Sequence, residues 1–144
     1  MNRSEADLLR VSALLRDRAL AAYRRDLDAE TSLRAERDRI DALRMAALDE
    51  GPAMGAHQLL GMAALWQGEL LRRRAVVQLG LAEARARQGY SSRAARAAFS
   101  RDMAARQIVD RSRDDRVARQ LAAEERALEA LAALRLWQHA GGRG

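Results

Sequence analysis

The side chains able to do chemistry in this chain are few in kind: carboxylates, arginines and two histidines. Among 144 residues there are 20 Asp or Glu, 2 His and no Cys, and all 26 basic residues are arginine. Without cysteine, thiolate nucleophiles, thiolate metal sites and disulfides drop out. Without lysine there is no amine nucleophile and no phosphate loop of the Gly-Lys-Ser/Thr type. A nucleophile elbow and a His-Glu-x-x-His pair are absent too. His57 lies beside a Gly-Pro break and His139 near the end of the chain. They are too far apart in sequence to suggest a metal or acid-base pair, and both are expected in solvent. Carboxylates are plentiful, but each has an arginine within a helical turn or two or sits on an outward face, whereas a catalytic carboxylate needs a cleft that perturbs it. The sequence therefore reads as a non-enzyme with no cofactor, no metal and no small-molecule substrate.

The arginines are unevenly placed. Residues 1–50 carry ten Arg against eleven acids, and residues 85–119 carry ten against only Asp102, Asp110, Asp114 and Asp115, so the +6 excess lies in that stretch. Such a segment could steer an acidic partner, or it could be a solvated face whose Arg stems cover apolar surface. Only Tyr90 and Phe99 lie within it to stack on bases, and no basic-region zipper follows in register, which makes nucleic acid the weakest of the partner readings. Arg72-Arg73-Arg74 spread around a helix and cannot form one patch.

The elements that position these groups are helices. Ala, Leu, Arg and Glu dominate the composition, and an aromatic content of 3% leaves little for a wide core. Ser4 followed by Asp7 resembles a capping box at the start of a helix. Leu8, Val11, Leu15, Leu20, Tyr23, Leu27, Leu33, Ile40 and Leu43 then fall at helical spacings, with Glu30–Arg34 and Asp41–Arg44 placed as outward ion pairs. Gly51-Pro52, followed by Gly55, ends that helix near Glu50. A second seam follows in Leu59, Ala63, Trp66, Leu70, Val77, Leu81 and Ala84, and a short connection places the two antiparallel.

The expected fold is all-α: one domain over residues 1–144, a long antiparallel two-helix coiled-coil hairpin whose second helix is the longer. Helix one covers about 4–50, the turn about 51–56, helix two about 57–138, and a disordered tail 140–144. Mirror pairing about residue 53 sets Leu27, Leu33, Ile40 and Leu43 against Trp66, Leu70, Val77 and Leu81, and exhausts helix one near residue 100. The alternative is a three-helix bundle with a bend at Gly89-Tyr90-Ser91-Ser92. Ala95, Ala98, Ala105 and Ser112 make a seam of small residues in between. Leu121, Leu128, Leu131, Leu134, Leu136 and Trp137 form an apolar stripe that helix one is too short to reach. An aromatic closing such a stripe suits a binding anchor. The charged start and an apolar run no longer than Leu59 to Trp66 predict neither a secretion signal nor a membrane anchor.

A charged amphipathic first helix, a Gly-rich break near one third of the length and a longer Arg- and Gln-rich return helix resemble the FliJ/YscO family. Tyr23 in a Leu/Ala seam and the LLGMAALWQGELL segment opening the return carry the resemblance, which is one of architecture along nearly the whole chain. The family forms stalks of the flagellar and injectisome type III export ATPases and is similar to the central stalk of rotary ATPases. The resemblance implies a coiled coil seated in a hexameric ATPase ring, with ATP chemistry belonging to the ring. It further implies a role in type III secretion or bacterial flagellum biogenesis, in the cytoplasm or peripheral to the inner membrane through partners. The partners implied are the hexameric export ATPase, an export-gate protein and export chaperones. Family members carry an aromatic or two near the end of the first helix, where this chain has Leu43, Met45 and Leu48; the matching gate contact is expected at Trp66, Leu70 and Val77. The ring contact is expected at Leu121, Leu128, Leu131, Leu134 and Trp137. The second reading is a coiled-coil scaffold or export chaperone, self-associated through residues 117–137.

Overall fold

An Asn-x-x-Glu sequence opens the first helix, two residues earlier than Ser4 would place it. The Asn2 side-chain oxygen accepts from the Glu5 amide at 2.8 Å, and the Glu5 carboxylate accepts from the Asn2 amide at 3.0 Å. This reciprocal pair is the capping box, and the Asn2 carbonyl takes the first helical bond from Ala6. Ser4 and Asp7, the expected cap, lie inside the helix, where Asp7 pairs with Arg10. Asparagine caps as well as serine, and glutamate has the reach that aspartate lacks.

The computed structural model describes residues 1–49 and 56–142, and side chains over 1–49 and 61–142. It contains two helices in contact, α1 (Arg3–Asp49) and the longer α2 (Ala56–Gly141), and no strand among the described residues. The Gly51-Pro52 turn, Gly55, the end of the first helix at Glu50, the side chains of His57 and Leu59, and the last two residues, Arg143 and Gly144, lie outside the described residues. α2 includes Ala140 and Gly141, which the expected tail had left out of the helix.

The bend at Gly89 does not occur. α2 passes through Gly89 to Ser92 without interruption. The Ser91 hydroxyl, instead of capping a new helix, donates back to the Gln88 carbonyl at 3.3 Å within the same one. An added Cβ at Gly61, Gly68 or Gly89 would meet open space. Replacing all three by alanine should therefore stabilise the protein by about 2 to 3 kcal/mol, from helix propensity alone. Chemical denaturation checks this, and a loss of stability in Gly89→Ala would show that the helix needs to break there.

The chain divides into two units. In the larger, Leu14–Phe99, contacts between α1 and α2 run in opposite order. Gln67 donates to the Arg44 carbonyl, Arg74 pairs with Asp41 at 2.7 Å, Gly80 lies against Leu33, and Arg85 reaches Glu30 at 3.4 Å. These pairs are symmetric about roughly residue 57. The expected centre of 53 is displaced, and Leu43 and Trp66 stay exposed instead of packing into the seam. Leu33 and Ile40 do meet Leu70 and Val77 in one apolar cluster. The buried positions of α2 are Leu70, Val77, Leu81, Ala84, Ser91, Ala95 and Ala98, with Gln88 half-buried in the gap. From Val77 they alternate by four and three residues, the repeat that keeps one seam facing a neighbour. Glu30 and Asp41, expected as outward decoration, belong to this face and bridge to α2 while keeping Arg34 and Arg44.

The second unit joins Met1–Ala13 to Ser100–Gly144. Its seam is narrow and polar. Asp102, Ala105 and Val109 are buried on α2, and Glu5 and Ser12 on α1. Leu8 and Val11, expected in the seam, are exposed. The same alternation explains the shift: Glu5, Leu9 and Ser12 share one face, and Leu8 and Val11 sit on the next.

Candidate interaction surface

Where α1 begins, polar groups fix it to α2. Glu5 accepts from the Ser112 hydroxyl and from the Arg116 guanidinium, at 3.0 Å to each oxygen. The hydrogen bond from Ser112, then that from the Asn2 amide, then that from Arg116 hold the Glu5 carboxyl down from 4.5 to about 2. Two turns further on, Ser12 donates to Asp102 at 2.9 Å, and Arg106 pairs with the other Asp102 oxygen at 3.1 Å. Unfolded Glu5 takes a proton near 4.5 and folded Glu5 only near 2, so its contribution is present above pH 4.5 and is lost as pH falls through about 2. Thermal unfolding at a series of pH values should give a shallower acid slope between those limits for Glu5→Gln than for wild type; equal slopes would mean that this latch carries no stability.

Beyond the latch an open groove of about 610 Å³ is walled by Met1, Leu9, Val109, Arg116, Val117 and Gln120. Among the described residues, pairing in this unit runs to about residue 116, well past the expected limit near 100, because the register is displaced. From Leu121 to Gly142 every residue is exposed. Leu121, Leu128, Leu131, Leu134 and Trp137 thus lie together on an uncovered helix, with Trp137 78% exposed. His139 is exposed as well.

The other candidate residues divide. Trp66 is 43% exposed, but Leu70 is fully buried and Val77 nearly so, both against Ile40. Leu70 and Val77 are seam residues, so of the expected row of three only Trp66 is exposed. An apolar row on another side of α2 was missed: Met62, Leu65, Val76 and Leu79, all at least 66% exposed. Their spacing of three, eleven and three residues was a legible signal, masked by the overlapping row of Leu70, Val77 and Leu81. Several arginines of the basic segment are committed: Arg85 to Glu30, Arg87 to Glu83, Arg106 to Asp102 and Arg116 to Glu5. Phe99 carries the Arg16 guanidinium 5.8 Å above its ring.

Among the described residues no three His, Asp or Glu gather as metal ligands, and no helix is long and apolar enough to cross a membrane. No known protein family matches this sequence, nor does any curated protein or solved structure.

Proposed function

We propose that the protein is a non-enzymatic, antiparallel coiled-coil hairpin of the FliJ/YscO kind, acting in the cytoplasm as the stalk of a type III or flagellar protein-export ATPase. The observation that carries the reading is the uncovered end of α2. A helix of 86 residues accompanies one of 47, and its last turns present leucines and Trp137 with no covering segment among the described residues. Uncovered apolar rows of this extent favour association, and the pore of a hexameric ring is the partner surface this reading assigns to the helix end. The alternation of four and three in burial supports a coiled coil over a looser helix pair. Trp66 with Met62, Leu65, Val76 and Leu79 would then face the export gate, replacing the row that included Leu70 and Val77. Catalysis stays with the ring.

The scaffold or chaperone reading draws on the same stripe with a different occupant. Truncation after Gln120 separates the stalk reading from a hairpin that works through its seam or its basic segment. The Glu5 latch and the Ile40–Leu70–Val77 cluster are retained in that variant, so helix content should persist while binding to the cognate export ATPase disappears. Full binding by the truncated chain would overturn the assignment.

A further inference from the structure

The exposed end of α2 is complementary to itself. Between Leu121 and Gln138 the residues Leu121, Glu124, Leu128, Leu131, Arg135 and Gln138 recur by three and four on one face, the same repeat as the seam. All are exposed, and no segment of the described chain lies over them. Placed against a second copy running the other way, with the two-fold axis between Glu129 and Ala130, Leu128 falls opposite the partner's Leu131, and Leu131 opposite the partner's Leu128. Glu124 falls opposite the partner's Arg135, again twice by symmetry. Leu121 meets the partner's Gln138 at each end.

A parallel pair would set Glu124 against glutamate and Arg135 against arginine, two like-charge layers at the seam. Such juxtapositions select orientation and register in helix pairs. The two leucine layers supply the apolar burial, and the two ionic layers fix which way it can happen.

We propose that free protein pairs antiparallel with a second copy through residues 121–138, with Glu124–Arg135 contacts setting the register. The pairing stands apart from the stalk reading. It uses the face assigned to the ring, so the paired and ring-bound states exclude each other, and the pair shields the leucines until a partner takes them.

Sedimentation of the full chain with charge-reversed variants tests the pairing. Wild type should dimerise with concentration. Glu124→Arg or Arg135→Glu alone converts two attractions into two repulsions and should weaken the dimer about tenfold. The double variant Glu124→Arg/Arg135→Glu should regain wild-type affinity. Because the chain has no cysteine, Leu128→Cys and Leu131→Cys copies can be mixed and oxidised. They should crosslink to each other and not to themselves. A wild type that remains monomeric into the millimolar range, reversals that leave association unchanged, a double variant without rescue, or a self-crosslink of Leu131→Cys would each overturn the proposal. The stalk reading is tested separately, since monomeric Glu124→Arg keeps every leucine of the stripe and should still bind the export ATPase.

Discussion

Leu70→Ala should destabilise the helix pair by about 3 kcal/mol. Leu70 and Leu81 are the largest side chains with no exposure, and Leu70 packs with Ile40 and Val77, beside Leu33. Removing it deletes most of one apolar layer and leaves a space that its neighbours fill only in part, so the cost comprises lost burial and lost contacts. A two-helix seam is one layer wide, and helices of this kind owe their stability chiefly to such packing. Leu71, the next residue, is about half exposed, and Leu71→Ala should cost under about 1 kcal/mol. Urea unfolding followed by circular dichroism measures both. Equal effects would mean that the seam does not run through Leu70.

The polar seam near the start of the chain limits how far this burial extends. Ser91, Ala95, Ala98, Asp102 and Ala105 occupy positions where leucine would bury far more surface. Glu5, Ser12 and Asp102 hold that stretch by hydrogen bonds instead, which set register more than they add stability. Asp41–Arg74 does the same in the larger unit: each group favours the charged form of the other, and Asp41 titrates lower and Arg74 higher than usual.

Helix positions and the small-residue seam were legible because they rest on local rules. The single proline and the composition pointed to two helices, and of the small seam residues picked out, Ala95, Ala98 and Ala105 are buried and Ser112 is half-buried. The face of α1 was harder to read. Leu8, Val11 and Leu15 look like a seam by hydrophobicity, yet before Ile40 the buried residues of α1 are Glu5, Ser12 and Glu30, whose partners Ser112, Asp102 and Arg85 are distant in sequence. Tertiary pairing overrode hydrophobicity there. The register shift has a similar cause: mirror pairing about residue 53 took its centre from the Gly51-Pro52 turn, whereas ion pairs such as Glu30–Arg85 align the helices about a point nearer 57. Leu70 and Val77 were assigned to a partner because they share a row with Trp66, and burial follows the row only once α1 lies beside it.

The stripe beyond Gln120 was read correctly as uncovered, and the account turns on it. Leu128 and Leu131 are both more than half exposed, one turn apart on a helix with no neighbour among the described residues. Replacing both with aspartate should therefore leave the fold intact: it removes no seam contact, and it does not touch the Glu5 latch or the Leu70 cluster. In a ring lumen or any other apolar site the same change buries two carboxylates without partners, a cost large enough to abolish binding. The direct measurement is binding and stimulation of the cognate export ATPase by Leu128→Asp/Leu131→Asp, with helix content and thermal unfolding recorded alongside. The account predicts wild-type helix content with loss of both binding and stimulation; undiminished binding by the folded double variant would contradict it.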